Sequence, residues 1–313
     1  MFSVVIPLYN KEKYILRAVE SVLKQDFKDF ELIIVDDGST DESLGIIKKI
    51  NDSRLYVIQQ ENKGEGPARN TGMCAAKNEW TAFLDADDAW LPYHLSELNN
   101  IITKFNNVGM VSTACIEIKD SSRKINIDEN KVDSIYSINY FNEAAKTIGV
   151  INSTSVAIRR DVLNKVGGFS KFKAGGDLEY WARVALHFPV AVSNKVTCCY
   201  FRDTGGIMQS VSGKEILPVS SLSEVSPSVS FLIKESKTYI SIMRDKNIRK
   251  YINSRLFNGV KVALFRRDFP VAKSYSRLAL PQLNLLFLFL LLLRITPSIV
   301  LSNIVTLYFF VRK

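Results

Sequence analysis

Leu32-Ile33-Ile34-Val35-Asp36-Asp37-Gly38-Ser39 and, further along, Thr81-Ala82-Phe83-Leu84-Asp85-Ala86-Asp87-Asp88 share one design: a short strand-like run, apolar but for Thr81, that stops at carboxylates. A short unbroken apolar run closed by turn residues reads as a strand buried on both faces, as parallel sheets require. Residues 4–6 form a similar run before Pro7, which is expected to stop it, and residues 55–58 form another. Between them, Ile15, Ala18, Val19, Val22 and Leu23 recur at the spacing of one helix face, and residues 67–76 suit a second helix. Strands alternating with amphipathic helices predict an α/β fold, a mostly parallel Rossmann-like sheet flanked by helices. Ligands of such sheets bind outside the carboxyl ends of the strands. Two of those ends here carry clustered aspartates.

An apolar fraction of 47% against 23% charged residues fits a folded chain of 313 residues, room for one large α/β domain and an appendage. The formal charge of +9 is uneven. Residues 231–313 hold 15 Lys/Arg against three acidic residues, a local net of +12, while the rest is slightly acidic. The basic surface therefore belongs to the C-terminal part, and no basic nucleic-acid-binding core is expected. Cys74, Cys115, Cys198 and Cys199 give no CxxC pair, and two histidines cannot build a histidine metal cluster. A reducing compartment is the simplest expectation. Met1 runs straight into strand-like sequence, so no secretory leader is expected.

Downstream, residues 110–118 suit a strand and 177–187 a helix. Gly205-Gly206, several serines, Pro218 and Pro227 suggest a loop or linker. The expected domains are a catalytic, nucleotide-binding domain over 1–210, a Ser-rich linker over 211–230, a basic helical region over 231–282 and an apolar tail over 283–313. Within the tail, residues 285–293 are almost pure Leu/Phe but too short for a span, which needs roughly 20 residues. Residues 295–311 are interrupted by Pro297 and Asn303. Arg266, Arg267, Lys273 and Arg277 would meet anionic lipid if this region lay in a membrane interface. A span, an interfacial helix pair and a buried core helix are the alternatives. Membrane association is the expected one.

Asp85-Ala86-Asp87 at a strand end suits magnesium or manganese, which take carboxylate and phosphate oxygens and keep some water. Such a cation stabilises a departing phosphate as a Lewis acid. The plain alternative is a cap for the helix starting near Leu91, but a second acidic strand end beside it favours the metal. Asp36 and Asp37 can accept hydrogen bonds from a base or a ribose, while Ser39 with Glu42 matches a capping box. Lys63-Gly64-Glu65-Gly66-Pro67 is neither a Walker loop nor a dinucleotide fingerprint; it reads as a turn starting a helix whose Arg69 can reach a diphosphate. Trp90 and Trp181 suit sugar stacking or the core equally.

Val5-Ile6-Pro7-Leu8-Tyr9-Asn10, Val35-Asp36-Asp37-Gly38-Ser39-Thr40-Asp41, Gly66-Pro67-Ala68-Arg69-Asn70-Thr71-Gly72 and Phe83-Leu84-Asp85-Ala86-Asp87-Asp88 together resemble the ordered motif set of family 2 glycosyltransferases over about residues 1–200. The resemblance implies a GT-A fold, here with a C-terminal helical, apolar extension. It implies that Pro7 and Tyr9 line a base pocket, with the Tyr9 ring stacked on uracil, that Asp37 bonds the base and that Asp36 supports the nucleoside. It implies that Asp85 and Asp87 handle ribose, diphosphate and Mn2+ or Mg2+, with Asp87 the direct ligand. Members invert at the anomeric carbon with one general base, commonly the aspartate of a Glu-Asp pair opening a helix. The matching segment is Gly175-Gly176-Asp177-Leu178-Glu179-Tyr180-Trp181, where Gly176 replaces the glutamate. Asp177 is the candidate base, Glu179 the fallback, and a helix N-cap the plain alternative for Asp177. No Gln-x-x-Arg-Trp segment of processive synthases is present, which favours addition of one sugar.

The resulting expectation is a metal-dependent, inverting, hexosyltransferase-like enzyme moving a sugar from a nucleotide-sugar, a UDP-sugar above all, to a glycan or lipid-linked acceptor. Its setting would be surface polysaccharide (O-antigen-type) assembly at the cytoplasmic face of an inner membrane, peripheral or tail-anchored, with no nucleic-acid partner. A non-catalytic nucleotide-sugar-binding subunit of a membrane assembly complex is the alternative. A nucleotidyltransferase ranks low, because the first loop, Pro7-Leu8-Tyr9-Asn10-Lys11-Glu12, is not glycine-rich.

Overall fold

The computed structural model describes residues 1–119, 132–147, 149–172, 175–202, 204, 226–236, 242, 244–281, 285–298 and 300–301. The chain divides into two compact units, residues 1–138 with 151–216, and residues 139–150 with 217–313.

In the first unit, β1 (Phe2–Leu8), β2 (Phe30–Asp36), β3 (Leu55–Gln59) and β4 (Trp80–Phe83) pair in parallel in the order β3-β2-β1-β4. Every residue of β1, β2 and β4 is buried, the two-sided burial that their unbroken apolar runs call for. Helix α1 (Ile15–Leu23) buries Ile15, Ala18, Val19 and Val22, the stripe read from spacing. Helix α2 (Ser43–Lys48) follows β2, and α3 (Glu65–Ala75) follows β3. Beyond β4 the sheet mixes directions. β5 (Ala89–Trp90), β6 (Met110–Ile118), β7 (Ile135–Ile138), β8 (Val156–Arg159) and β9 (Val190–Phe201) complete, among the described residues, the order β3-β2-β1-β4-β8-β6-β9-β5, with β7 also on β9. Helices α4 (His94–Lys104), α6 (Arg160–Val166) and α7 (Gly176–Ala185) belong to this unit; α5 (Tyr140–Ala144) falls in the second.

Two local expectations change. Pro7 does not stop β1, which runs on to Leu8 in register with β2. The Val5 carbonyl accepts from Leu84 on the β4 side, so Pro7, two residues on, faces the same side. There β4 pairs only as far as Val5, and the missing N–H strands no partner. Ser39 caps no helix: α2 begins at Ser43, and the Ser39 hydroxyl instead accepts from the Asn10 amide at 3.2 Å.

The second unit holds α5, α8 (Pro227–Ser236), α9 (Lys246–Phe265), α10 (Phe269–Arg277) and α11 (Leu285–Ile295). Pro227, read as linker, opens a helix, where proline's fixed φ and absent N–H cost nothing. The expected linker thus overlaps α8, and its residues 211–225 lie outside the described residues. Asp245 and Asp268 cap α9 and α10 by accepting from first-turn amides. Residues 139–150 join this unit because α9 holds them. Lys250, Ser254 and Arg255 donate to Asn142, Ala145 and Ala144, and Tyr140 and Phe141 pack on Tyr251. In α11, Leu290 and Leu293 are buried, whereas Leu288, Leu291, Leu292 and Ile295 are exposed. Arg294 ties the helix down through the Ser276 and Ala279 carbonyls. Among the described residues, no helix is long and apolar enough to cross a membrane; residues 302–313 of the expected tail lie outside them.

Candidate active site

The carboxyl ends of β1, β2 and β4 open onto one cavity of about 520 Å³. Pro7, Leu8, Tyr9, Asn10 and Lys11 line it after β1, Asp37 after β2, and Asp85, Ala86 and Asp87 after β4. Asn62, Gly64, Glu65 and Ala68 from the start of α3, and Tyr200, Phe201, Arg202 and Thr204 from the end of β9, close the sides. Three strand ends, two of them acidic, therefore converge as the strand-end rule requires. Tyr9 is 47% exposed at this cavity, an aromatic face available for stacking.

Asp37, though 2% exposed, is a fully engaged carboxylate. Oδ1 accepts from Gln60 Nε2 at 2.7 Å and the Lys63 amide at 3.0 Å, and Oδ2 accepts from the Gly64 amide at 2.8 Å. It clasps the turn before α3 against the end of β2. Gly64 sits at φ +93°, a conformation glycine adopts without strain, and so brings its N–H onto Asp37. Asp36 lies behind the cavity wall, accepting from the Ser39 amide at 3.1 Å.

The Asp85–Asp88 turn is held by a buried relay. The Asp85 amide donates to Thr154 Oγ1 at 3.2 Å, Thr154 Oγ1 bonds Asp88 Oδ2, and the Phe201 amide donates to Asp88 Oδ1 at 3.0 Å. Asp88 is fully buried; that burial, with the Asp85 charge beside it, pushes its carboxyl up to about 8. Burial also pushes Asp85 up to about 6, against the pull of Arg69 and with Glu65 and Asp87 adding to the rise. The cavity thus meets Asp85 and Asp87, while Asp88 is the neutral anchor beneath them at pH 7. Asp85 Oδ1 accepts from Arg69 at 2.6 Å, and Asp87 Oδ2 accepts from Lys11 Nζ at 2.6 Å and Thr204 Oγ1 at 2.8 Å. Each carboxylate keeps a second oxygen that these contacts do not use.

Other expected site residues fall elsewhere. Arg69, 3% exposed, does not line the cavity; it bridges Asp85 and Glu65, so its expected reach to a diphosphate is replaced by a hold on Asp85. Burial opposes its charge, but Glu65, Asp85 and Asp177 hold it protonated. Asp177 stands in the first turn of α7, whose N-cap is Gly175 at φ +73°, so the N-cap alternative for Asp177 fails. It does not line the cavity, but its charge reaches Arg69. Glu179 is buried in a two-pronged pair with Arg183, at 2.9 and 3.0 Å, and Arg183 also donates to the Val166 and Gly168 carbonyls. That pair fixes α7 and removes Glu179 as an acceptor-side group. Both tryptophans are core residues. Trp90 stacks on His94 and donates to the Thr154 carbonyl at 2.7 Å, and Trp181, fully buried, packs on Phe169 and Tyr180.

Lys11, Arg17, Thr154, Arg202 and Thr204 are site residues to which the sequence alone assigns no role. Arg17 Nη2 donates to the Asp87 carbonyl at 2.5 Å, and its guanidinium lies 3.5 Å from the Phe201 ring centre. For Lys11 a signal existed: it follows the carboxyl end of β1, and the strand-end rule applied there as it did after β2 and β4. Thr154 and Thr204 depend on tertiary approach across 60 or more residues, which no local pattern encodes.

Comparison with known proteins agrees with this geometry. The model of "Glycosyl transferase family 2" matches residues 3–167. An uncharacterized glycosyltransferase of Nostoc sp. is 42% identical over 112 residues, 35% of this chain and 35% of its own. A UDP-Glc:alpha-D-GlcNAc-diphosphoundecaprenol beta-1,3-glucosyltransferase of Escherichia coli is 39% identical over 34% of this chain and 45% of its own. The chondroitin synthase of Escherichia coli is 28% identical over 83% of this chain and 37% of its own. The matches span less than half the length of each of these relatives. S. aureus TarS 1-349, solved in complex with UDP-GlcNAc, superposes with a TM-score of 0.69 at 21% identity, over 89% of this chain and 81% of that one. That likeness is one of fold, and the sheet, the acidic strand ends and the motif order together place the chain in the GT-A class. The chain belongs to glycosyl transferase family 2.

Proposed function

We propose that the chain transfers a single sugar from a UDP-sugar to a hydroxyl of a glycan or lipid-linked acceptor, with inversion, during surface polysaccharide assembly. The observation that carries this reading is the convergence of Tyr9, Asp37, Asp85 and Asp87 on one cavity. Its size suits a nucleotide-sugar, since ligand pockets run to about 300–1,000 Å³. Tyr9 offers a ring for a base. The turn that Asp37 clasps presents Asn62 and Gly64 to the same space, and Asp85 and Asp87 face the diphosphate region. TarS was solved with UDP-GlcNAc, and the Escherichia coli glucosyltransferase is named for UDP-Glc, which supports the donor class.

The donor set fits magnesium or manganese. Asp85 and Asp87 line the cavity with the oxygen donors these ions take, and phosphate and water oxygens would complete the shell; among the described residues no cluster of three or more Asp, Glu, His or Cys could hold a metal by itself. When bound, such an ion supplies Lewis-acid stabilisation to the departing diphosphate. Asp85 and Asp87 would hold it. Arg69 keeps Asp85 oriented, and Arg17 fixes the backbone at Asp87. Asp177, half-buried in the first turn of α7 and close enough to act on Arg69, is the base we assign to the acceptor hydroxyl. The lipid side of the proposal rests on the outward stripe of α11, and sets the protein on the cytoplasmic face of a membrane.

Release of UDP across a panel of nucleotide-sugars, with manganese and then with excess chelator, tests the reading. Metal-dependent release is expected for at least one donor. Asp177→Asn is expected to leave UDP affinity near that of the parent and to slow turnover at least ~100-fold, the usual worth of a positioned base. An unchanged rate removes Asp177 from the mechanism, and full release in chelator removes the metal.

A further inference from the structure

The two cavity aspartates carry counter-ions of different kinds. Asp85 is matched by Arg69, which is buried, shared with Glu65 and enclosed by protein. Asp87 is matched by Lys11, one-fifth exposed, whose side chain lines the cavity itself. The Lys11 backbone is well fixed. Its amide donates to Ser43 Oγ at 2.8 Å, and Asn10 before it sits at φ 51°, its amide on Ser39 Oγ and its Oδ1 accepting from the Thr40 amide at 2.8 Å. A flexible four-carbon stem on an anchored Cα lets the ammonium move while its origin stays put. Its other partners are light: the Thr204 carbonyl at 3.4 Å and the Tyr14 ring at 5.8 Å.

We infer that Lys11 is an exchangeable internal cation: it holds Asp87 while no divalent ion is present, yields that carboxylate when one binds, and then turns to the phosphates bound beside it. This rests on the metal reading given above. Lys11 Nζ stands 2.6 Å from Asp87 Oδ2, the distance and position at which a hard cation would compete for the same oxygen. An ammonium and a divalent ion repel at such a separation. Without nucleotide, the exchange leaves four positive charges, from Lys11, Arg69 and the divalent ion, against the three carboxylates Asp85, Asp87 and Glu65. A diphosphate supplies the missing negative charge and lets both cations stay. Metal and nucleotide are therefore expected to bind with strong mutual coupling, and Lys11 is the residue that creates it. No covalent bond changes in the exchange.

Manganese titrations with and without UDP, read as free-ion concentration, test this on the full chain, on Lys11→Met and Lys11→Gln, and on Lys13→Met as a charge-matched control. Lys13 is an exposed neighbour two residues along. Both Lys11 variants are expected to bind manganese without nucleotide about tenfold more tightly than the parent, and to lose about tenfold of the coupling between UDP and metal. Lys13→Met is expected to match the parent. Equal manganese affinity in parent and Lys11 variants overturns the inference, as does an equal gain in Lys13→Met, which would make the effect one of bulk charge. A parent chain that binds no manganese even with UDP overturns the metal reading itself and the inference with it.

Discussion

At the scale of single residues, Asp88 shows how much of the site works from below the surface. Sequence alone sets it among four acidic-turn positions, three of them aspartate, with nothing to separate it from Asp85 and Asp87. Full burial between Thr154 and the Phe201 amide gives it the opposite task, a neutral strut under two charged neighbours. Its folded value, about 8, lies above the 3.8 of an exposed aspartate. Between those two values the unfolded chain is ionised there and the folded chain is not, so this residue's contribution to stability is full below about pH 4 and declines as pH rises toward 8. Asparagine cannot ionise; its Oδ1 keeps the bond from the Phe201 amide, while its amide group replaces the oxygen to which the Thr154 hydroxyl donates, so that hydroxyl turns to accept instead. Asp88→Asn is thus expected to be at least as stable as the parent at pH 7. Its advantage should shrink by up to about 1.4 kcal/mol per pH unit between pH 7 and pH 5, measured by urea unfolding. A variant clearly less stable at pH 7, or an advantage that grows as pH falls, would contradict the neutral-strut reading.

Elements were legible where burial on both faces imposes one pattern. β1, β2 and β4, the α1 stripe and Met110–Ile118 all follow from apolar spacing, because a strand or helix face in a core tolerates no other. Glycines gave less away. Gly72 in α3 lies so close to β1 that a Cβ would run into Val5, so this helix–strand approach depends on its absence. Spacing could not tell Glu179 and Trp181 apart from ligand-facing groups, since a helix turn places both on faces whose neighbours come from distant sequence. Helix α11 is the reverse case. It reads as almost uniformly apolar, yet among its described side chains Leu290 and Leu293 are buried, and Leu288, Leu291, Leu292 and Ile295 form an exposed i, i+3, i+4, i+7 stripe. If that stripe meets lipid, Leu288→Ser with Leu292→Ser should weaken partitioning onto anionic phosphatidylglycerol vesicles, read by co-sedimentation, by about 100-fold or more, each leucine being worth roughly 1.5–3 kcal/mol of burial. Unchanged co-sedimentation would remove α11 from the membrane proposal.

For the molecule as a whole, family membership was readable because four motifs fall in order, three at strand ends that the fold gathers and one on α3. What could not be read was the placement of residues 139–150, which group with α9 and not with the sheet. That choice is made by Tyr251, Lys250 and Arg255, more than 100 residues away, and a local window holds no trace of it. The same limit hid Thr154 and Thr204 at the site. The central claim is that acidic strand ends share one nucleotide diphosphate through a cation, and equilibrium binding of UDP tests it most directly. With manganese present, the parent should bind UDP, and excess chelator or Asp87→Asn should weaken binding at least ~10-fold. UDP binding equally strong in chelator and in Asp87→Asn, or no UDP binding at all, would contradict the account.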